Sequence, residues 1–346
     1  MSIKRTSRRR VAVASASALV VLLGVGSFTV ASAANHGNRG HEHTKRPTRP
    51  TATATASPSS TPTGETPATA APAAPSSTSA SATTSTSTTT STTTSTTTAA
   101  TAAGDVTLPP VNGQFDYQIG GAYTPVSSVK IVDRDRESKP VSGKYNVCYV
   151  NSFQTQPSEA DFWTGSHDDL LLKKGGEYVE DSEWGEFLLD TSTAAKRTAL
   201  AEIVGGWIDG CATAGFDAVE PDNLDTYSRS DGLLTKANNL AFAKLLVQKA
   251  HAKGLAIAQK NTADITKSEA TTAGFDFAVA EECQVWTECD AYTDIYGDQV
   301  YEVEYTDNGK SAYTKACAAQ GKDISVILRD RNVVASGNSK YYYENC

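Results

Sequence analysis

Histidine is scarce in this sequence, and its scarcity excludes several kinds of active site. Only five of the 346 residues are histidine, and from residue 105 onward only His167 and His251 remain. A Ser-His-Asp triad or a histidine-rich zinc site therefore lacks its parts, which argues against serine hydrolases and zinc-dependent polysaccharide deacetylases. The sequence also contains no Cys-x-x-Cys pair. We therefore expect no metal site.

Basic residues are also few once the N-terminal region is set aside. From Asp105 onward the chain holds 22 of its 31 lysines and arginines but 37 of its 39 acidic residues, a formal charge of −15. Such a field repels nucleic acid and anionic polysaccharides and concentrates cations. The charge therefore excludes a nucleic-acid partner and is compatible with a cationic substrate.

The first 104 residues lack the composition of a folded domain. Residues 1–33 have a basic start, an apolar run diluted by Ser and Gly, and an Ala-Ser-Ala end, which predicts a secretory signal peptide cleaved after Ala33 rather than a retained membrane anchor. Residues 34–104 are mostly Thr, Ser, Ala and Pro, which predicts a disordered stalk. We expect a secreted protein, with no membrane span after cleavage, that the stalk could attach to the cell wall.

All six cysteines lie in the remaining segment, residues 105–346. An even number of cysteines behind an export signal indicates disulfides rather than metal ligands. Sequence alone leaves the pairing open. We nevertheless expect Cys283 to pair with Cys289, on proximity, and Cys317 to pair with Cys346.

The order of elements in residues 105–346 predicts one (β/α)₈ barrel domain, a TIM barrel of the α/β class. Amphipathic helical patterns around Leu200 to Cys211 and Leu240 to Ala250 separate short β-rich runs. A doubly wound open sheet is the alternative. The predicted strands are 115–119, 145–150, 186–191, 216–222, 255–260, 275–281, 299–305 and 323–328.

Polar residues follow many of these strands, where the functional face of a barrel lies. Any one of them could instead cap a helix or form a salt bridge, but their repetition favours a site. Two carboxylates with different protonation states are what glycosidic bond cleavage requires. The candidates are Tyr149, Asp190, Glu220, Asp222, Asp225, Lys260, Asn261, Glu281, Glu282 and Glu304. Loop aromatics, among them Tyr227 and Trp286, could stack on sugar rings.

Several blocks together resemble glycoside hydrolase family 114, the endo-α-1,4-polygalactosaminidases. They are "GFDAVEPDNLDTY", "IAQKN", "DFAVAEECQVWTEC", "VYEVEY" and, less closely, "WGEFLLD", and the likeness runs from about Phe115 to Cys346. The resemblance implies a retaining hydrolase that cuts galactosamine polymers without metal or other cofactor. It places the nucleophile on Asp222 and the acid/base on one of two glutamates, Glu281 or Glu282.

Strand alternation bears on that choice. If the bulky residues of 275–281 pack on helices, Glu282 points inward, so we favour Glu282 and keep Glu281 as the alternate. The same rule puts Glu220 one layer below Asp222. Lys260 would hydrogen-bond the nucleophile.

Three further acids, Asp190, Asp225 and Glu304, are candidates for binding the protonated amines of a galactosamine polymer. We expect the protein to act as a monomer. The alternatives are a retaining glycosidase for α-galactosides and a non-catalytic barrel that binds an amino-sugar polymer.

Overall fold

The computed structural model describes residues 106–346, in which nine strands form one sheet. The predicted signal peptide (1–33) and stalk (34–104) lie outside these residues. The eight parallel strands are β1 (Phe115–Tyr117), β2 (Ile131–Asp135), β3 (Tyr145–Asn151), β4 (Ala218–Asp222), β5 (Ala256–Lys260), β6 (Phe277–Glu281), β7 (Val300–Tyr305) and β8 (Ser325–Arg329). A ninth strand, β9 (Tyr343–Asn345), runs antiparallel to β8.

The strands neighbour one another in chain order, which excludes the doubly wound alternative and confirms a barrel. Side chains rather than a backbone ladder join the two ends of the sheet. Ser325 Oγ donates to the Gly113 carbonyl over 2.7 Å, and the Tyr343 hydroxyl donates to the Phe115 carbonyl over 2.8 Å. The barrel is therefore nearly closed.

Large side chains fill the barrel interior, as they do in (β/α)₈ proteins. Phe115, Tyr117, Phe277 and Tyr301 contribute rings there, and the smaller Ala218, Ala256 and Ala258 leave room for them. A second apolar layer lies outside the sheet, between its strands and the surrounding helices.

Helices connect the later strands. They are α1 (Ala160–Ser166), α2 (Ala194–Ala214), α3 (Lys236–His251), α4 (Lys267–Ala273), α5 (Cys283–Trp286), α6 (Cys289–Tyr296) and α7 (Ser311–Gln320). The predicted apolar face of α2 is confirmed, since Leu200, Val204, Ile208 and Cys211 are buried. Helix α2 begins where the Thr193 side chain accepts from the Lys196 amide and ends at Gly215, whose φ of 92° favours glycine.

One of the predicted strands needs correction. Residues 186–191 were expected to form a barrel strand, but only Glu186–Phe187 is a strand, in a hairpin with Glu180–Asp181. A second hairpin pairs Lys173–Lys174 with Glu177–Tyr178. Leu188 is buried in a small apolar cluster with Leu172 and Leu234, outside the barrel. Its apolar side chain therefore resembles that of a barrel strand in the sequence.

Strand β2 was missed because its sequence, Ile-Val-Asp-Arg-Asp, carries three charged residues. Two of them, Asp133 and Arg134, are nevertheless buried. The connections on either side of β2 contain no helix in the part of the chain that the structure describes. Substituting β2 for 186–191 keeps the parallel strand count at eight.

Three disulfides brace the barrel. Cys148–Cys211 joins β3 to α2, and the predicted pairs Cys283–Cys289 and Cys317–Cys346 are confirmed. The last of these fastens α7 to the C-terminal residue, which follows β9.

No helix among residues 106–346 is long and apolar enough to span a bilayer.

Replacing both Cys148 and Cys211 with alanine is expected to lower the free energy of unfolding by about 3–4 kcal/mol. The reason is that this crosslink spans a sequence separation of 63 residues, so opening it adds much entropy to the unfolded chain. Urea denaturation measures the loss. The matched control replaces Cys283 and Cys289, which are six residues apart, and should lose only about 2 kcal/mol. A larger loss in the control would contradict this account.

Candidate active site

Lys260, the last residue of β5, lies at the centre of a buried cluster of carboxylates. Its Nζ is 2.6 Å from Glu220 Oε1, 3.1 Å from Asp222 Oδ1 and 3.5 Å from Glu281 Oε2. Burial disfavours the lysine charge, but the three carboxylates outweigh burial and raise the pKa of Lys260 well above its ordinary value. Lys260 is therefore a permanent cation at the mouth of the barrel.

Asp222 and Glu281 face each other across this cation. The oxygens that contact Lys260 Nζ lie 3.1 Å and 3.5 Å from it, so they are at most 6.6 Å apart. The two residues end β4 and β6, the non-adjacent strands on either side of β5. Both side chains are partly exposed, at 17% and 23%. A substrate can therefore reach both carboxylates.

Donors on three sides hold the Asp222 carboxylate. The Tyr149 hydroxyl donates to Oδ2 over 2.7 Å, and the Asn223 amide donates to Oδ1 over 2.7 Å. Lys260 supplies the third contact. These three contacts fix the position of the Asp222 carboxylate at the end of β4.

Glu281 is held in a similar way. Tyr305 donates its hydroxyl proton to Oε1, and Asn261 Nδ2 donates to Oε2 over 2.9 Å. Burial raises the pKa of Glu281, but Lys260, Tyr305 and Asn261 together hold it below its ordinary value. The sequence-predicted residues Tyr149, Glu220, Lys260 and Asn261 thus all contact the carboxylate pair or the lysine that joins it.

Glu282 does not join this cluster, and the predicted strand faces are reversed. Phe277 and Val279 point into the barrel, while Ala278 and Ala280 pack against the helices. Small alanines let α5–α7 approach the sheet closely, and bulky residues fill the interior. Glu282 lies beyond the end of β6 with a φ of 60°, and its carboxylate contacts Arg331 Nη2 at 2.5 Å and the Asn308 amide.

Of the three acids predicted to bind amines, two are paired with cations of the chain and the third is buried. Asp190 accepts from Lys196 Nζ over 2.5 Å, and Asp225 accepts from Arg229 over 2.7 Å. Glu304 is buried on the outer face of β7, where the Gln284 amide donates to it over 3.0 Å. None of the three therefore presents an accessible carboxylate without a partner to a substrate amine.

Tyr227 and Trp286, the two aromatics predicted to stack on sugar rings, lie in different connections of the barrel. Tyr227 donates its hydroxyl to Asp264 over 2.6 Å and packs beside the Leu172 cluster. Trp286 is 36% exposed at the end of α5, in the connection after β6. Both lie on connections that leave the carboxyl ends of strands, where sugar-binding aromatics would be needed.

Asp133 and Tyr117, which sequence reasoning missed, support the cluster from below. The Tyr117 hydroxyl accepts from Lys260 Nζ over 2.9 Å and donates to Glu220 Oε1 over 3.0 Å. Both oxygens of Asp133 and Oε2 of Glu220 are buried without another hydrogen-bond partner. A proton between the two carboxyl groups would join one oxygen of Asp133 to Oε2 of Glu220. Burial and the Glu220 charge raise the pKa of Asp133 well above its ordinary value, so Asp133 carries that proton.

Glu186 is a further missed residue. Asn151 Nδ2 donates to Glu186 Oε2 over 3.0 Å, and Gln154 Nε2 donates to the same oxygen over 2.8 Å. Asn151 pairs in register with Asp222, so the hairpin of Glu186 lies beside the nucleophile candidate. The block "WGEFLLD" contains Glu186. Because the block was interpreted as a barrel strand, Glu186 was not recognised as a residue beside Asp222.

One group of potential metal ligands elsewhere in residues 106–346 contains a disulfide. Cys283, Cys289 and Glu302 bring potential ligand atoms together, but the two sulfurs are bonded to each other. Glu302 instead accepts from Gln320 Nε2 over 2.7 Å. These three residues do not fit a metal ion in the oxidised protein.

Two opposed carboxylates at the carboxyl ends of barrel strands are the arrangement that glycoside hydrolases use. The chain belongs to Glycoside-hydrolase family GH114, whose model matches residues 95–346.

Solved structures resemble this fold. Ega3 of Aspergillus fumigatus, in complex with galactosamine, is 25% identical, covers 70% of this chain and 99% of its own, and has a TM-score of 0.56. The glycoside hydrolase domain of PelA from Pseudomonas aeruginosa is 13% identical, covers 65% and 97%, and has a TM-score of 0.47. A comparison with curated protein sequences finds no significant match.

Asp133→Asn is expected to flatten the decline of stability with rising pH. The folded-state pKa of Asp133 is raised, so above about pH 4 the unfolded chain loses a proton that the folded chain keeps, and stability falls as pH rises. Asparagine removes this proton while its amide can still donate to Glu220. The slope should be shallower by up to about 1.4 kcal/mol per pH unit.

Urea denaturation at several pH values between about 5 and 8 measures that slope. The control is Asp133→Leu, which also removes the titrating group but leaves Glu220 Oε2 without a donor, so this variant should be less stable than Asp133→Asn at every pH. An unchanged slope in Asp133→Asn would show that Asp133 is ionised in the folded protein.

Proposed function

We propose that this protein is a retaining, endo-acting glycoside hydrolase that cleaves α-1,4-linked galactosamine polymers, with Asp222 as nucleophile and Glu281 as acid/base. The observation that carries the proposal is the placement of both carboxylates within 3.5 Å of Lys260 Nζ, at most 6.6 Å apart. Retaining enzymes hold their carboxyl groups about 5–5.5 Å apart, and inverting enzymes about 6.5–9.5 Å. The upper bound favours retention.

The reaction follows from this arrangement in two steps. In the first, a carboxylate oxygen of Asp222 bonds to the anomeric carbon while the glycosidic bond breaks, and Glu281 gives its proton to the departing oxygen. In the second, Glu281 takes a proton from water as the water oxygen attacks the anomeric carbon, and the bond to Asp222 breaks. Lys260 stays charged throughout and compensates the anions around it.

The protein groups around Glu281 hold its pKa below the ordinary value, which disfavours the protonated form that a general acid needs. A sugar bound between the two carboxylates would displace water from Glu281, and this desolvation raises the pKa of a carboxyl group. Glu282 is less suited to the role, because Arg331 and Asn308 already occupy its carboxylate.

The galactosamine substrate is supported by three observations. The family resemblance implies it, the similar structure of Ega3 is a complex with galactosamine, and the domain from Asp105 onward has a formal charge of −15. The non-catalytic alternative is disfavoured because both carboxylates are present and opposed. An α-galactosidase remains the rival if neutral substrates alone are cleaved.

Export is part of the same proposal. All six cysteines are paired, as expected of a protein that folds in an oxidising compartment. The predicted signal peptide and stalk would deliver the barrel to the cell exterior, where a polysaccharide substrate would be found.

Asp222→Asn and Glu281→Gln are each expected to lower kcat on a galactosamine oligomer by at least about 10²–10⁴-fold, whereas Glu282→Gln keeps most of the activity. Glu281→Gln should still release the aryl group of an aryl glycoside with an acidic leaving group in a burst, because that step needs no proton, and Asp222→Asn should not. Later turnover of Glu281→Gln should stay slow, because the second step still needs Glu281 to take a proton from water. Reducing-end release measures all three. Loss of activity in Glu282→Gln but not in Glu281→Gln would reverse the assignment.

A further inference from the structure

Unlike four other acids near the barrel mouth, Glu186 has no cationic partner. Asp222 and Glu281 share Lys260, Asp225 pairs with Arg229, and Glu282 pairs with Arg331. Among residues 106–346, by contrast, no lysine or arginine nitrogen lies within 4.0 Å of the Glu186 carboxylate. Neutral amides alone hold this side chain.

The two amides also leave one oxygen of Glu186 available. Asn151 and Gln154 both donate to Oε2, and Oε1 accepts no hydrogen bond from the described part of the chain. The residue is partly exposed. A ligand could therefore contact Oε1 without displacing a protein donor.

Hydrogen bonds link Glu186 to the nucleophile candidate. Asn151, which donates to Glu186, also accepts from Asn223 Nδ2 over 2.9 Å, and the Asn223 backbone amide donates to Asp222. Asn151 is the last residue of β3 and lies level with Asp222 on β4. Glu186 is thus held in a defined position beside the sugar that Asp222 would attack.

The groups around Glu186 make its charge sensitive to pH. Burial, and then the negative charges of Asp222 and Asp181, raise the pKa of Glu186 to about 7, although the Gln154 and Asn151 amides act in the opposite direction. The nearby cation Arg229 is bonded to Asp181, Asp225 and Gln154 Oε1. A bound cation would lower the pKa of Glu186 and be held more tightly by its ionised form.

We infer that Glu186 binds the ammonium group of galactosamine in the sugar that lies beside Asp222, and so determines specificity for amino sugars over neutral sugars. The inference rests on the proposed function and replaces the expected roles of Asp190, Asp225 and Glu304. An ammonium group complements a fixed carboxylate that lacks a cation, whereas the hydroxyl of a neutral sugar leaves that charge uncompensated.

The test compares galactosamine with galactose as ligands, measured by titration calorimetry. The wild-type protein should bind galactosamine about tenfold or more tightly than galactose, and Glu186→Gln should lose most of this preference. Glu186→Asp, which keeps the charge, should retain part of it. The matched control is Glu183→Gln, on the same hairpin, which removes an exposed charge without a contact to the site and should keep the full preference.

The pH dependence separates a charge contact from a structural role. In the wild type the preference should increase from about pH 5 to about pH 7 as Glu186 ionises, and this increase should be absent in Glu186→Gln. An unchanged preference in Glu186→Gln, or an equal loss in Glu183→Gln, would overturn the inference. Monomer binding does not require cleavage. Failure of the wild type to cut a galactosamine polymer would therefore refute the proposed function without deciding the role of Glu186.

Discussion

The ammonium group of Lys260 lies within 3.5 Å of oxygens from Glu220, Asp222 and Glu281, and the organisation of the active site depends on this contact. Three carboxylates this close would otherwise repel one another, and at least one would take up a proton. The buried lysine lets the acids of β4 and β6 remain close and accessible to a sugar. Removing Lys260 would leave the buried carboxylates without their cation, which is strongly destabilising.

One cation would not balance the three carboxylates around it and an ionised Asp133, and the chain limits the negative charge of this region in two ways. Asp133 keeps its proton and serves Glu220 as a neutral hydrogen-bond donor in the interior. At the rim, the chain supplies its own cations to Asp190, Asp225 and Glu282. The overall charge of the domain therefore says little about which acid meets a substrate amine, because most rim acids are already neutralised.

Much of the fold could be predicted because strand and helix patterns are local properties of a sequence. Seven of the eight parallel strands, the helices before β4 and β5, and two of the disulfides were predicted before the structure. Strand β2 was missed because its inward-facing Asp133 breaks the apolar pattern. Residues 186–191 were misassigned because Leu188 is buried outside the barrel.

The sequence by itself determined the barrel and the order of its acidic blocks, and it predicted a candidate site built from Asp222, Lys260 and one of two adjacent glutamates. Tertiary structure alone decided which glutamate faces Asp222, because helices α5–α7 pack on Ala278 and Ala280, and the alternate face of β6, which ends at Glu281, points into the barrel. It also decided that Glu186 lies beside the site. Residues distant in sequence meet only when the barrel and its hairpins pack, and local periodicity carries no information about that packing.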